Sequence, residues 1–180
     1  VHYTDGTKDT KTVWIEKESH VVKISNPNNK KIDFVLFDPN SEIMKTVTFN
    51  KPFEMLKAQA LRAPKMIDRY DAITAMRNIP ATQKLEILNE VYLKNTFHGI
   101  RTEIVSQVLE DKNLESLKLV KQGLNDKDVF VRKGIVANTK NIDPSLVGEY
   151  EKLLLDSSYQ TIATVLEKLC SSFPENTAKY

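Results

Sequence analysis

The sequence predicts a mainly α-helical protein with a small β part: β-sandwich-like strands, followed by stacked antiparallel helical pairs that wind into an α-α superhelix. Three observations predict this. Up to about Pro52, β-branched and aromatic residues alternate with polar ones, and beyond it apolar residues recur at helical spacing. One phrase also returns at a fixed interval, as Met66-Ile67-Asp68-Arg69-Tyr70-Asp71-Ala72-Ile73, Phe97-His98-Gly99-Ile100-Arg101-Thr102-Glu103-Ile104-Val105 and Val129-Phe130-Val131-Arg132-Lys133-Gly134-Ile135-Val136. Its arginines stand 32 and 31 residues apart, and a weaker copy, Tyr159–Leu166, follows without the arginine. Such a period marks stacked helical pairs of HEAT or armadillo type, in which no unit buries its own apolar face alone. Finally, residues 52–180 contain only four glycines, Gly99, Gly123, Gly134 and Gly148, so helices are rarely interrupted. The expected domains are a β-sandwich segment over 1–51 and a HEAT-like helical repeat domain over 52–180.

The first part reads as four strands. Thr12-Val13-Trp14-Ile15-Glu16, Val21-Val22-Lys23-Ile24-Ser25, Ile32-Asp33-Phe34-Val35-Leu36-Phe37 and Val47-Thr48-Phe49 carry the period of two. Asp5-Gly6, Asn26-Pro27-Asn28-Asn29 and Asp38-Pro39-Asn40 separate them, all residues that favour turns. In the third strand Ile32, Phe34 and Leu36 face one way and Val35 and Phe37 the other, a pattern that expects cover on both sides. Four strands in about fifty residues make a thin domain, short of the burial an independent fold needs. The β part is therefore expected to be incomplete, with Trp14 and the phenylalanines packed against the helices or against protein beyond this chain. The opening Val1-His2-Tyr3-Thr4-Asp5-Gly6 reads neither as a signal peptide nor as an initiator sequence, and suggests a piece of a longer polypeptide.

After Pro52 the stripes are helical: Ile100, Ile104 and Val108; Leu117, Val120 and Leu124; Leu146, Tyr150 and Leu153; Ile162, Val165, Leu166 and Leu169. Asp143-Pro144 supplies a cap followed by a first-turn proline, and Pro80 and Pro174 suit similar positions. Asn125-Asp126-Lys127-Asp128 is a short polar turn between paired helices. Eight or nine helices in about four antiparallel pairs are expected.

Charge excludes some functions. Lys and Arg number 26 against 24 acids, a net charge of +2, and no segment has the lopsided field that phosphate-backbone binding needs. No nucleic-acid partner is expected. No apolar run approaches the roughly 20 residues that span a bilayer, so no membrane segment is expected either. A monomer is expected.

Site chemistry is sparse. The single Cys170 excludes an internal disulfide and a multi-cysteine zinc site, and its amphipathic surroundings make it a small core residue rather than a nucleophile. His2, His20 and His98 are far apart and lack the fixed short spacing of zinc ligands, and no H-E-x-x-H occurs. Neither a phosphate-binding glycine loop nor a G-x-S-x-G elbow is present. Catalytic, cofactor-binding and metal-binding residues are thus all expected to be none. The repeat arginines allow two readings. They could grip an acidic peptide along a concave face. More simply, each could bond an acid or a helix-end carbonyl at a neighbouring turn, with Asp126 and Asp128 close enough in sequence to serve Arg132.

Four stretches together resemble the C-terminal half of the aminopeptidase-N (gluzincin) family of zinc metallopeptidases. Val35-Leu36-Phe37-Asp38-Pro39-Asn40-Ser41-Glu42-Ile43-Met44-Lys45, with Phe49-Asn50-Lys51-Pro52, is similar to that family's last β-sandwich strands and their lead into helices. Asp68-Arg69-Tyr70-Asp71-Ala72-Ile73-Thr74-Ala75-Met76 resembles its opening helical repeat. Thr96-Phe97-His98-Gly99-Ile100-Arg101-Thr102-Glu103 resembles a run of bacterial members, with histidine where an aromatic is commoner. Asp156-Ser157-Ser158-Tyr159 through Phe173-Pro174-Glu175 resembles the ending. The likeness covers the chain from about residue 10 onward.

The resemblance implies a non-catalytic fragment that encloses the active-site chamber and stabilises the catalytic domain of its own polypeptide, its expected partner. Peptide substrate and zinc would belong to the parent protein. The family's zinc motif and glycine-rich substrate anchor match no position here, so none of their residues is carried over. A helical-repeat scaffold or protein-interaction module without peptidase activity is the alternative. Whether the parent is an active enzyme turns on an H-E-x-x-H upstream.

Overall fold

The computed structural model describes residues 1–180. It is mainly helical, with two short strands, β1 (His2–Tyr3) and β2 (Ile32–Phe34). Eight α-helices follow: α1 (Phe53–Arg62), α2 (Met66–Ala75), α3 (Ala81–Lys94), α4 (His98–Ser106), α5 (Leu114–Leu124), α6 (Val129–Asn138), α7 (Val147–Lys152) and α8 (Tyr159–Ser172). Short 3-10 turns lead into α7, follow it and end the chain. No helix is long and apolar enough to cross a membrane. The chain divides into two compact units, Val1–Ala72 and Ile73–Tyr180.

In the first unit β1 pairs antiparallel with β2, His2 opposite Phe34 and Tyr3 opposite Ile32. A tight turn returns the chain after β1: Gly6 N–H donates to Tyr3 O at 3.0 Å, and Gly6 takes φ +82°, which a side chain would strain. Phe34 is buried against Ala58 and Ala63, with Leu36 and Met55 at the margin. Arg62 clamps the Asp33 carboxylate at 2.7 and 2.5 Å. Asp38 closes its turn through its carboxylate, which accepts the Glu42 and Ile43 N–H groups and pairs with Lys45.

Three of the four expected strands are not formed. Residues 12–16, 21–25 and 47–49 carry no strand, and of 32–37 only 32–34 does. Alternation can pattern a strand, but pairing makes one, and an unpartnered segment has nowhere to place its backbone hydrogen bonds except water. Trp14 is 88% exposed and Val21 78%, so these apolar residues lack cover within this chain. The expected division at 51/52 marks where helices begin. Compactness divides at 72/73 instead, because α1 packs on β2 and belongs with the strands.

In the second unit the apolar stripes of α3 to α8 interlock. Ile100, Ile104 and Val108 are buried, as are Val120, Leu124, Leu146, Tyr150, Leu153, Val165 and Leu169, whereas Leu166 is exposed. Leu119 takes the core place expected of Leu117, which is only half-buried. Helices α4 and α6 pack side by side. Thr102 abuts Gly134, its Cγ2 2.6 Å from where a Cβ would stand, and Asn138 donates to Ser106 Oγ at 2.9 Å. Both pairs join residues 32 apart, so the two helices run parallel, one repeat out of phase.

Side chains cap the helices where the sequence places short polar residues. Asn113, Asp128 and Ser158 accept from the second or third N–H of α5, α6 and α8. Asp143 does the same for the 3-10 turn opened by Pro144.

Two glycines should separate packing from propensity. A Cβ on Gly123 would lie 2.4 Å from Ile135 Cδ1 and 2.9 Å from Val105 Cγ2, whereas one on Gly148 meets nothing within 4 Å. Gly123→Ala should cost about 1–3 kcal/mol through overpacking, and Gly148→Ala should stabilise by about 0.5–1 kcal/mol. Denaturant unfolding of the two variants checks the opposite signs.

Candidate functional site

Arg69, Arg101 and Arg132 are each the fourth residue of their helix, α2, α4 and α6, and Ile162 is the fourth residue of α8. The second and third arginines make the same set of contacts. Each reaches back to the carbonyl six residues before it: Arg101 Nη1 donates to Asn95 O at 3.1 Å, and Arg132 Nη1 to Asp126 O at 2.7 Å. Each also reaches forward to an aspartate of the next inter-helix turn. Arg101 Nη2 donates to Asp126 Oδ1 at 3.1 Å, and Arg132 Nε to Asp156 Oδ2 at 2.6 Å. Arg101 gains a third tie, to Thr96 O at 2.9 Å. Its Nε lies 2.9 Å from Asp126 Oδ2 as an ion pair, but off the line a hydrogen bond requires.

The rungs are connected. Tyr92 donates its hydroxyl to Asp126 Oδ2 at 2.6 Å, and burial together with that carboxylate raises the phenol's pKa, holding it protonated. Asp126 Oδ1 also accepts the Asp128 N–H at 2.9 Å. The carboxylate thus serves Arg101 and Tyr92; Asp126 serves Arg132, as its place in the sequence suggests, but through its backbone carbonyl, and the carboxylate that Arg132 bonds is that of Asp156. Burial pushes the Asp156 carboxyl up, but hydrogen bonds from Arg132 and the Ser158 N–H bring it below the ordinary range.

These arginines clamp helices to turns. Arg101 is 6% exposed, and its donors already face carbonyls and a carboxylate. An acidic ligand could engage it only by displacing those partners. Arg69 differs, since its Nε is buried and bonded to nothing.

A second polar cluster was not foreseen. Lys84, 2% exposed, donates to Met76 O and Arg77 O at 3.0 Å each and to Gln107 Oε1 at 2.9 Å. It thereby caps carbonyls just past the end of α2. Gln107 donates in turn to Ile73 O at 2.7 Å and Glu103 Oε1 at 2.9 Å, and Arg77 clamps Glu103 at 2.7 Å. Burial lowers the Lys84 pKa; it raises that of Glu103, which the Arg77 and Gln107 hydrogen bonds return to below the ordinary value. A signal was available: Lys84 stands in line with Ile87, Leu88 and Val91 on the buried stripe of α3.

The histidines remain apart. His2 stacks on Phe34 with ring centroids 4.4 Å apart, His20 is exposed, and His98 opens α4 between Phe97 and Phe130. Cys170 is a half-buried free thiol in α8. No group of three or more His, Cys, Asp or Glu residues stands where it could hold a metal ion. The chain matches no family model, no curated protein and no solved structure.

Two expectations follow. Arg101→Ala strands a buried carboxylate and should cost about 3 kcal/mol, Arg132→Ala about 1–3 kcal/mol, and the exposed control Lys118→Ala less than about 0.5 kcal/mol; thermal melts compare them. Acid is the second probe. Hydrogen bonds from Lys121, Lys152 and Asn125 lower the Glu149 carboxyl from 4.5 to about 2. Asp156 is lowered as well. Depressed carboxylates stabilise the fold above their unfolded pKa and lose that contribution as pH falls through the folded one. Stability should therefore decline from pH 4.5 toward about 2. Glu149→Gln and Asp156→Asn should be weaker at pH 7 and flatter across that window, read by circular dichroism.

Proposed function

We propose that this chain is the non-catalytic C-terminal region of a zinc aminopeptidase of the aminopeptidase-N family, where it walls the active-site chamber and braces the catalytic domain. The observation that carries this reading is the ordered set of four motifs, from Val35–Lys45 to Asp156–Glu175. Two features support it. The repeated arginine clamp suits a HEAT-like stack, a rigid wall rather than a reactive centre. The exposed, strand-patterned apolar residues around Trp14 and Val21 suit sandwich strands completed by neighbours from the same polypeptide.

In this role the chain's residues bind no zinc and transfer no proton; they exclude water and bulky substrate from a chamber built elsewhere. A helical-repeat scaffold without peptidase activity is the second reading, favoured by a row of rings at one set of helix starts. Phe97, His98 and Phe130 lie at centroid spacings of 4.7 and 5.1 Å, and Phe130 is 59% exposed.

The test compares this chain with the whole polypeptide that carries it, using aminoacyl chromogenic substrates and added zinc. The chain alone should show no turnover above buffer, while the whole polypeptide should turn over and lose activity to a chelator. Chelator-sensitive turnover by the chain alone sinks the non-catalytic role, and an inert whole polypeptide favours the scaffold.

A further inference from the structure

The bonds that hold the inter-helix turns also fix what those turns carry. Arg101 donates to Asn95 O and Thr96 O at 3.1 and 2.9 Å, which pins the two carbonyls directly before Phe97. Asp128 accepts the Phe130 N–H at 2.9 Å and so sets the start of α6. The rings mounted there form a row, with His98 4.7 Å from Phe97 and 5.1 Å from Phe130 between centroids. Phe97 folds over Gly99, its Cε1 2.6 Å from where a Cβ would stand, so a side chain at 99 would push the ring aside. Phe97 is 36% exposed and Phe130 59%. An exposed apolar row on a pinned backbone has little freedom left to lose when a partner covers it.

Charge completes the surface. Phe130 and Lys133 both belong to α6, three residues apart, the spacing that shares a face. The Lys133 Nζ bonds the neutral Gln160 Oε1 at the start of α8. The acids of the neighbouring turns are already taken, Asp126 and Asp128 by Arg101 and Asp156 by Arg132, so none of them neutralises Lys133. We propose that Phe97, His98, Phe130 and Lys133 form a docking surface for an acidic peptide segment of another protein, one with an aromatic residue beside a glutamate or aspartate. Complementary charge selects this partner. Its carboxylate replaces the neutral Gln160 as the acceptor for Lys133, and its ring packs edge-to-face or offset against the row. The proposal rests on the scaffold reading of the same rings and gives that reading a ligand class. Its test is made on this chain alone and needs no turnover, so its failure is distinct from the outcome of the activity comparison.

The probe is a short peptide, acetylated and amidated, with a phenylalanine between two glutamates. Each control peptide changes one feature: glutamines replace the glutamates, or alanine replaces the phenylalanine. The probe should shift the backbone amide NMR peaks of Phe97, His98, Phe130 and Lys133 saturably, and both controls should bind more weakly. Phe130→Ala removes an exposed ring and should weaken the probe about tenfold. Lys133→Gln should weaken it about threefold, as for a surface ion pair. Lys133→Glu should reverse the preference, so that a peptide with lysines in place of the glutamates binds better than the probe. The proposal is overturned if the probe leaves these peaks unmoved, if the glutamine control binds as tightly, or if Phe130→Ala and Lys133→Gln both bind undiminished. Sedimentation of the free chain tests the other occupant. A monomer at all concentrations supports the peptide, whereas dimers that Phe130→Ala returns to monomers seat a second copy on the rings and overturn it.

Discussion

One residue, Asp126, ties three helices to a single turn. Its carboxylate accepts from Arg101 of α4 and Tyr92 of α3, and its backbone carbonyl accepts from Arg132 of α6. The Asp126 and Arg101 side chains are each 7% exposed, so neither charge is solvated by water and each needs the other. A pair of this kind adds modest net stability, but losing one member leaves a buried charge uncompensated. The clamp therefore enforces geometry more than it contributes energy. It fixes where α6 begins relative to α4, and that placement sets Gly134 against Thr102 and Gly123 against Ile135, contacts with no room for another methyl group.

The same arrangement propagates and then stops. Arg132 repeats it onto Asp156, but the fourth residue of α8 is Ile162, which has no donor to pass on. Beyond that helix, contacts of another kind take over, with Lys179 and Tyr180 closing onto Glu151 at 2.6 and 3.0 Å. At the other end, Lys84 and Gln107 satisfy the carbonyls at the end of α2 and beyond, where no repeat arginine reaches. Polar groups buried at each junction are thus paired by whichever long side chain can reach, as their desolvation cost demands.

The helical half was legible because its signals are local. An arginine recurring every 31 or 32 residues fixed the repeat, and Asp128 and Asp143 announced their caps within two residues of the groups they serve. The carboxylate partner of Arg132 was not legible, since Asp156 lies 24 residues away and only the stacking of α6 on α8 brings it close. Lys84 was passed over because a charged residue in an apolar stripe reads as surface until the carbonyls it caps are known. The strands failed for a related reason. Period two records which residues want cover on each face, yet says nothing about whether a partner strand exists to provide it.

A self-satisfied clamp also constrains where any recognition can occur. Every bond that Arg101 and Arg132 make to their own turns is a bond they would have to break to hold a ligand, and such exchange gains little unless the ligand replaces each contact. Arg101 and Arg132 are accordingly committed to holding their own turns. Groups without a partner or cover lie outside that clamp: the buried Arg69 Nε, the exposed rings of Phe97 and Phe130, and the uncovered apolar residues around Trp14.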